Sequence, residues 1–424
     1  MIKNNFFIIK YCLYYMIFTI LLFDISIVTS NSLQNPFALH FYLILYFLMF
    51  YLGYIFFYKV HKKNKYDVEK IKELNEQKIK KILSVGVYLY PFLSFVSALN
   101  FTNSSSLSIF INKVINGLLN PAGTYYAKVS NQLFLNSYLN SLLVVLSPYM
   151  MMILVLGLFY FKKMKFRQKM FFAVGIFFEI ARWLALGTNK GIFDFLILII
   201  CAYLFDRLIN NKQKTSFLKK IGKRTKILTV LVIAFSIFTY FISSRMYYST
   251  NDNNSFIKYG IDKISNYIAQ GYKGMDYSLS LSWKPTYGVG NSIFLTKQVE
   301  EIFHTDIESR TYQKRAEVYG WSSTVNWHTL YSWFANDFSF FGVVFLMFLI
   351  GIYFASVIKS IAEFHDYYSM VLFYLIMIGV FYSSANNQVL SFANTFISFW
   401  FFFVMRIVRR KKYKKILLGE SRNE

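Results

Sequence analysis

The sequence predicts an all-α polytopic membrane protein with about ten transmembrane helices and one large, partly helical external loop. Three observations carry that prediction. Mean hydropathy is +0.39, and only 16% of the 424 residues are charged, where a soluble domain has roughly a quarter. Apolar stretches able to supply the ~20 residues of a spanning helix recur along the chain. The connections between them alternate between Lys/Arg-rich and nearly free of Lys/Arg, as loops on opposite sides of a bilayer do.

In chain order, the first stretch is 6–29. It is too long for the apolar core of a signal peptide and has no small-residue cleavage site, so it reads as a helix. The others are 37–60, 82–101, 138–161, 170–187, 191–208, 227–245, 340–359, 367–384 and 389–408. Basic connections fall at 61–81, 162–169, 209–226 and in the tail from Arg406 (RIVRRKKYKK). By contrast, 30–36 and 385–388 have no Lys or Arg, and 102–137 has only Lys113 and Lys128. The 361–366 connector is weakly charged and carries little topological information. The positive-inside rule then puts both termini on the cytoplasmic side and the large loop outside.

That placement also accounts for the charge. With 46 Lys+Arg against 21 Asp+Glu the chain carries +25, and most of the excess faces an anionic inner leaflet, so nucleic acid is not needed as a partner. The 48 Phe and 34 Tyr suit a protein with many helix ends at lipid–water interfaces. Cys12 and Cys201 both lie in apolar runs, so no disulfide between them is expected. The organisation read from this pass is 1–245, seven helices with an external segment at 102–137; 246–339, an external loop or cap; and 340–424, three helices and a basic tail.

Both external segments are long enough to have structure. Within 102–137, SLSIFINKVINGLL is apolar on one face and is broken at Asn120–Pro121, as an interfacial helix would be. In 246–339, eight Lys/Arg nearly balance nine Asp/Glu. Ile257, Ile261, Ile264 and Ile268 recur at helical spacing up to Gly271, where the helix is expected to end. Tyr277, Leu279, Leu281 and Trp283 alternate with serines and predict a short extended stretch.

Ionisable groups inside spans are costly and face a partner or a cavity. In EIARWLALGTNKGIFD, Glu179 and Arg182 are i,i+3 neighbours, and Lys190 and Asp194 are i,i+4. Two readings follow: a pair of local ion pairs that let a tight hairpin insert, or a pocket where Arg182 and Lys190 bind an anion with Glu179 and Asp194 orienting them. Asp24 and His40 fall near the outer ends of the first two helices, where an interfacial role is expected. The large loop holds Trp283-Lys284-Pro285 before Tyr287-Gly288-Val289-Gly290, where two glycines permit a tight exposed turn. Arg310, Lys314, Arg315 and Glu317 follow, then YGWSSTVNWHTLYSWFANDFSFFG with Trp321, Asn326, Trp327, His328, Trp333, Asn336 and Asp337. Indole rings beside amides and carboxylates suit sugar binding; the competing account is an aromatic belt before the next span. No clustered Cys/His set, P-loop or dinucleotide fingerprint is present, so neither metal nor cofactor is expected.

Taken in order, these features resemble the O-antigen and capsular repeat-unit polymerase (Wzy) family: the turn LGTNKG between two helices, then WKPTYGVG, RTYQKRAEVYGW and STVNWHTLYSWFANDFSFFG leading into FFGVVFLMFLIG. The resemblance covers roughly 170–405. It implies joining of undecaprenyl-diphosphate-linked oligosaccharide repeats outside the membrane, by a fold similar to the GT-C-like membrane glycosyltransferases. No metal is implied, and a flippase and a chain-length regulator would act beside it. It also implies a basic residue on the diphosphate. Where family members commonly have arginine in the paired-helix turn this chain has Lys190, a point charge without the guanidinium fork. Arg182, Lys190, Arg245, Arg310 and Arg315 are therefore the diphosphate candidates, with Glu179 and Asp194 behind them. His328, with Asp337 as its rival, is the candidate base or acceptor positioner, and Trp283, Lys284, Trp321, Asn326, Trp327 and Trp333 the candidate glycan contacts. Two rivals share the same lipid: a flippase, for which a folded external cap and the absence of helix repeats are unexpected, and a ligase of the O-antigen type.

Overall fold

The structure is a computed structural model that describes residues 2–25, 33–60, 68–121, 123–124, 135–188, 190–209 and 256–417. Among the described residues it is helical throughout, with no strand. The helices are α1 (Ile2–Ile25), α2 (Pro36–Val60), α3 (Val68–Phe101), α4 (Leu107–Leu119), α5 (Ser137–Phe159), α6 (Phe166–Leu184), α7 (Lys190–Ile209), α8 (Phe256–Leu279), α9 (Ile293–Phe303), the single turn α10 (Tyr312–Arg315), α11 (Leu330–Phe364), α12 (Tyr367–Phe381) and α13 (Ala393–Leu417). The chain divides into two compact units, Met1–Asn75 with Ser265–Glu424, and Glu76–Ile264.

The first unit is built on a close crossing of α2 and α11. A Cβ on Gly53 would sit 2.0 Å from the Phe348 carbonyl oxygen, and one on Gly351 would sit 2.1 Å from that of Phe50. Two glycines thus let the backbones touch, as small residues do between membrane helices, where dispersion rather than a hydrophobic driving force holds the pair. Around them Phe50 stacks on Phe354 (5.7 Å) and Tyr46 packs on Tyr331 (4.8 Å). The Tyr46 hydroxyl donates to the Phe340 carbonyl at 2.8 Å. α12 is apolar on every side and is accordingly buried over almost its whole length. α1 closes against it, the Tyr15 hydroxyl donating to the Phe381 carbonyl at 2.6 Å. α11 is interrupted at Ser339 (φ 59°, ψ 165°), which separates a short first segment, 330–338, from the long apolar one that follows.

In the second unit the chain from Glu76 onward in α3 is followed by α4 to α7. The predicted interfacial helix is α4, capped by the Ser106 hydroxyl and ending at Asn120. One side of it packs on α6, where a Cβ on Gly117 would meet the Leu184 carbonyl at 1.9 Å, while Ile109, Ile111, Ile115 and Leu119 are exposed.

Among the described residues, five helices are long and apolar enough to cross a membrane: Phe6–Ile25, Pro36–Val60, Val68–Phe101, Ser137–Phe159 and Leu330–Phe364. This is a helical membrane protein. Four more predicted spans coincide with α6, α7, α12 and α13, which charges or short length set apart from those five; the stretch 227–245 lies outside the described residues. Two local expectations are corrected. Helix α8 does not end at Gly271 but continues to Leu279, because that glycine serves packing: its Cβ would lie 2.4 Å from the Ser384 carbonyl oxygen. The alternating stretch from Tyr277 is accordingly helix and then turn, with no strand beside it to pair. Alternation over so few residues is a weak signal when a long helical run precedes it.

Candidate functional site

Between α8 and α9 the chain makes a compact loop whose shape is held from outside itself. Tyr287 (φ 57°) and Gly288 (φ 85°) are consecutive left-handed residues; the second is affordable only because glycine lacks a Cβ, and a tyrosine in the first needs support. The support is Asp337, in the first segment of α11. Its Oδ1 accepts from the Thr286 hydroxyl (2.5 Å), Gly288 N (2.8 Å) and Gly290 N (3.3 Å). Its Oδ2 accepts from Asn291 N (3.0 Å) and Asn291 Nδ2 (2.7 Å). Five donors on two oxygens occupy the carboxylate's acceptor sites.

The preceding residue does the same for the flanking segments. Asn336 Oδ1 accepts from Tyr312 N (2.8 Å), and its Nδ2 donates to the Gly290 carbonyl (2.7 Å) and to Gln313 Oε1 (2.8 Å). Its carbonyl accepts from the Trp283 indole N–H at 3.1 Å. An Asn–Asp pair on one helical turn therefore fixes 283–291 and 312–313 together. The Ser339 break directly after it lets this turn leave the line of the membrane segment.

Held this way, the loop presents cations and rings. Arg310 Nε donates to the Pro285 carbonyl (3.0 Å) and its guanidinium lies over the Tyr287 ring, 5.1 Å from the centroid. Arg315 donates to the Ser282 carbonyl (2.6 Å). Trp283, Lys284 and Tyr287 are exposed. Among the described residues no carboxylate lies within ion-pair distance of Lys284, Arg310 or Arg315. The cationic surface is thus available to an anion. Below it, an open groove of about 690 Å³ runs along α13, lined by Phe396, Trp400, Phe401 and Val404 and headed by Gly288 and Asn291. The trough meets the loop at Gly288 and Asn291, next in sequence to Tyr287, whose ring lies under the Arg310 guanidinium.

The other candidates fall elsewhere. His328 is 2% exposed, with its ring nitrogen Nδ1 beside the Gly274 backbone. Burial pushes its pKa down to about 3, so it is neutral but shut away from any substrate. Trp321 donates to the Trp327 carbonyl at 3.1 Å, and Asn326 Oδ1 accepts from Ser322 N at 2.9 Å; both build the turn that carries them. Trp333 is buried. Lys314 and Ser323 hold the Glu317 carboxylate, pushed down to about 2 by those contacts. Arg245 lies outside the described residues.

In the second unit Arg182 pairs with Glu179 at 2.9 Å and Lys190 with Asp194 at 2.6 Å. Arg182 also donates to Ser97 (2.9 Å), and both cations lie over Trp183. Each carboxylate thus has its own local cation, the arrangement of two helix-face ion pairs. At the ends of α1 and α2, Asp24 meets His40 at 3.0 Å.

Sequence reasoning passed over Thr286, Asn291 and Asn336 as holders of the loop. It also passed over Asp276, whose fully buried carboxylate accepts from Gln34 N and Asn35 N at 2.7 Å each and so anchors the start of α2. The Asn–Asp dipeptide ahead of an apolar helix was the available signal. Fold and site together define a helical membrane protein presenting a cationic, aromatic loop whose Gly288 and Asn291 line an apolar groove. Neither a family model nor a curated protein nor a solved structure matches the chain.

Proposed function

We propose that this protein is a membrane glycosyltransferase that polymerises lipid-diphosphate-linked oligosaccharide repeats on the outer side of the cytoplasmic membrane, as the O-antigen and capsule polymerases it resembles do. One observation carries the reading: the loop that Asp337 holds combines exposed rings with cations that have no carboxylate in ion-pair distance among the described residues, and it lines one part of an apolar groove. A polyprenyl chain suits the groove, a diphosphate suits Lys284, Arg310 and Arg315, and a sugar ring suits the faces of Trp283 and Tyr287. In this account the ten spans, internal termini and external loop read from the sequence stand, and α4 lies along the outer membrane surface.

Chemistry follows from the same groups. The acceptor hydroxyl oxygen bonds to the anomeric carbon as the bond from that carbon to the diphosphate oxygen breaks, the hydroxyl proton passing to solvent or to the departing diphosphate, and the guanidinium groups stabilise the negative charge that develops on the leaving group. Proton removal from the acceptor hydroxyl is assigned to neither His328, which is buried, nor Asp337, whose acceptor sites are occupied. Leaving-group stabilisation is the contribution these side chains can make. Asp337 acts as a positioning residue.

A deletion strain tests the reading. Loss of the long glycan ladder with a single repeat still reaching the surface supports it. Repeats stranded on the cytoplasmic face would indicate a flippase, and a normal ladder left on its lipid would indicate a ligase.

A further inference from the structure

At the end of α11 away from the clamp, a second cationic site is built into the first unit. Ser356 and Ser360 stand four apart on α11, and Arg406 and Arg410 four apart on α13, so a row of hydroxyls faces a row of guanidinium groups. Arg406 donates to Ser369 (2.9 Å), Ser356 (2.7 Å) and Ser360 (3.3 Å). Arg410 donates to the same Ser356 (2.8 Å) and Ser360 (3.1 Å) hydroxyls. Two like charges thus share two neutral acceptors, and Arg406 is only 2% exposed.

One carboxylate, Asp366, acts on both guanidinium groups from a distance and reaches Arg406 through the Ser369 hydroxyl, a single negative charge against two positive ones. Asp366 accepts from Ser369 Oγ at 2.5 Å and from Tyr413 at 3.3 Å, and it is shared with a third arginine, Arg409, at 3.9 Å. Glu363 is opposite Lys359 at 4.0 Å. Among the described residues no carboxylate lies within ion-pair distance of Arg406 or Arg410. Burying a guanidinium without a counter-charge is costly, whereas one oxyanion bridging both would satisfy them. Arg410 is itself on the surface, so the site is open to an incoming group. The basic run continues through Lys411 and Lys412. From Ser339 to Ser360 the helix rises about 30 Å, roughly a bilayer core, so this site is separate from the loop on the other end of α11.

We propose that Arg406 and Arg410, with Ser356, Ser360 and Ser369, bind a phosphate group, supplied by an anionic phospholipid headgroup or by free phosphate. Native mass spectrometry of the full-length protein, released from phosphatidylcholine nanodiscs with and without phosphatidylglycerol, counts retained lipid. A parallel titration with inorganic phosphate follows thermal stability. The wild type is expected to retain one phosphatidylglycerol, or to be stabilised by phosphate, with at least about tenfold weaker binding in Arg410→Gln, the loss of a charge-assisted pair. Arg406→Lys is expected to weaken binding too, and Lys412→Gln to leave it unchanged. Retention of the lipid without a phosphate effect names the headgroup; the reverse names the free anion. Because Arg410 is a surface residue, its variant should fold, and its melting temperature checks that. Binding in Arg410→Gln equal to wild type, or no retention of either anion by wild type, overturns the proposal.

Discussion

Asp337→Asn is nearly isosteric, yet it should dissolve the loop. The carboxylate accepts five hydrogen bonds, and the amide keeps one acceptor oxygen. Whichever way it turns, at least two donors face an NH₂ group. Hydrogen bonds to a charged group are worth about 1.5–3 kcal/mol each. The site is half-buried and water recovers part of that, leaving a net cost of about 2–4 kcal/mol. At 1.4 kcal/mol per tenfold, the ordered loop falls by roughly 30- to 700-fold in relative population. Hydrogen–deuterium exchange over 286–292 reads this directly, with the glycan ladder measured on the same variant. Exchange at Gly288, Gly290 and Asn291 should accelerate at least about thirtyfold, with activity falling alongside. Unchanged exchange with lost activity would refute the reasoning and make Asp337 a group that acts on the substrate itself.

Three further outcomes are expected. Arg310→Ala and Arg315→Ala should each weaken use of the lipid-linked donor by roughly tenfold at unchanged protein level, seen as a shortened ladder that more donor partly restores. His328 is held neutral by burial, its pKa lowered from 6.5 to about 3. As pH falls below 6.5, the unfolded chain takes up a proton that the folded ring refuses until about 3. The ring's stabilising contribution is therefore complete above 6.5 and declines across that window by at most about 1.4 kcal/mol per pH unit. The melting temperature of His328→Gln should vary less between pH 7 and 4.5 than that of wild type, and identical slopes would sink the assignment. Gly53→Ala and Gly351→Ala each force a Cβ to about 2 Å from a carbonyl oxygen; each should cost about 1–3 kcal/mol, and a melting temperature unchanged in both would mean that the crossing is looser than described.

What could be read in advance divides by range. Apolar runs gave α1, α2, α5 and the body of α11, because lipid demands continuous hydrophobic sequence. α4 was legible from its one-sided apolar pattern and its Asn120–Pro121 stop. Gly271 misled because a helix-stopping glycine and a helix-packing glycine look alike until the neighbour, here Ser384, is known. Asp337 was noticed but its work was not, since its donors lie 46 to 51 positions back along the chain. His328 drew notice from its polar and aromatic company, and that same company buries it. Arg406 and Arg410 were read as ordinary basic tail; the serines facing them belong to a different helix.

The central claim is most directly tested with purified protein in nanodiscs, supplied with undecaprenyl-diphosphate-linked repeats and no other enzyme. The account predicts a ladder of lengthened lipid-linked glycans with release of undecaprenyl diphosphate, both strongly reduced in the Arg310→Ala, Arg315→Ala double variant. A folded protein that makes no ladder from those substrates, yet moves them across a vesicle membrane, would contradict it.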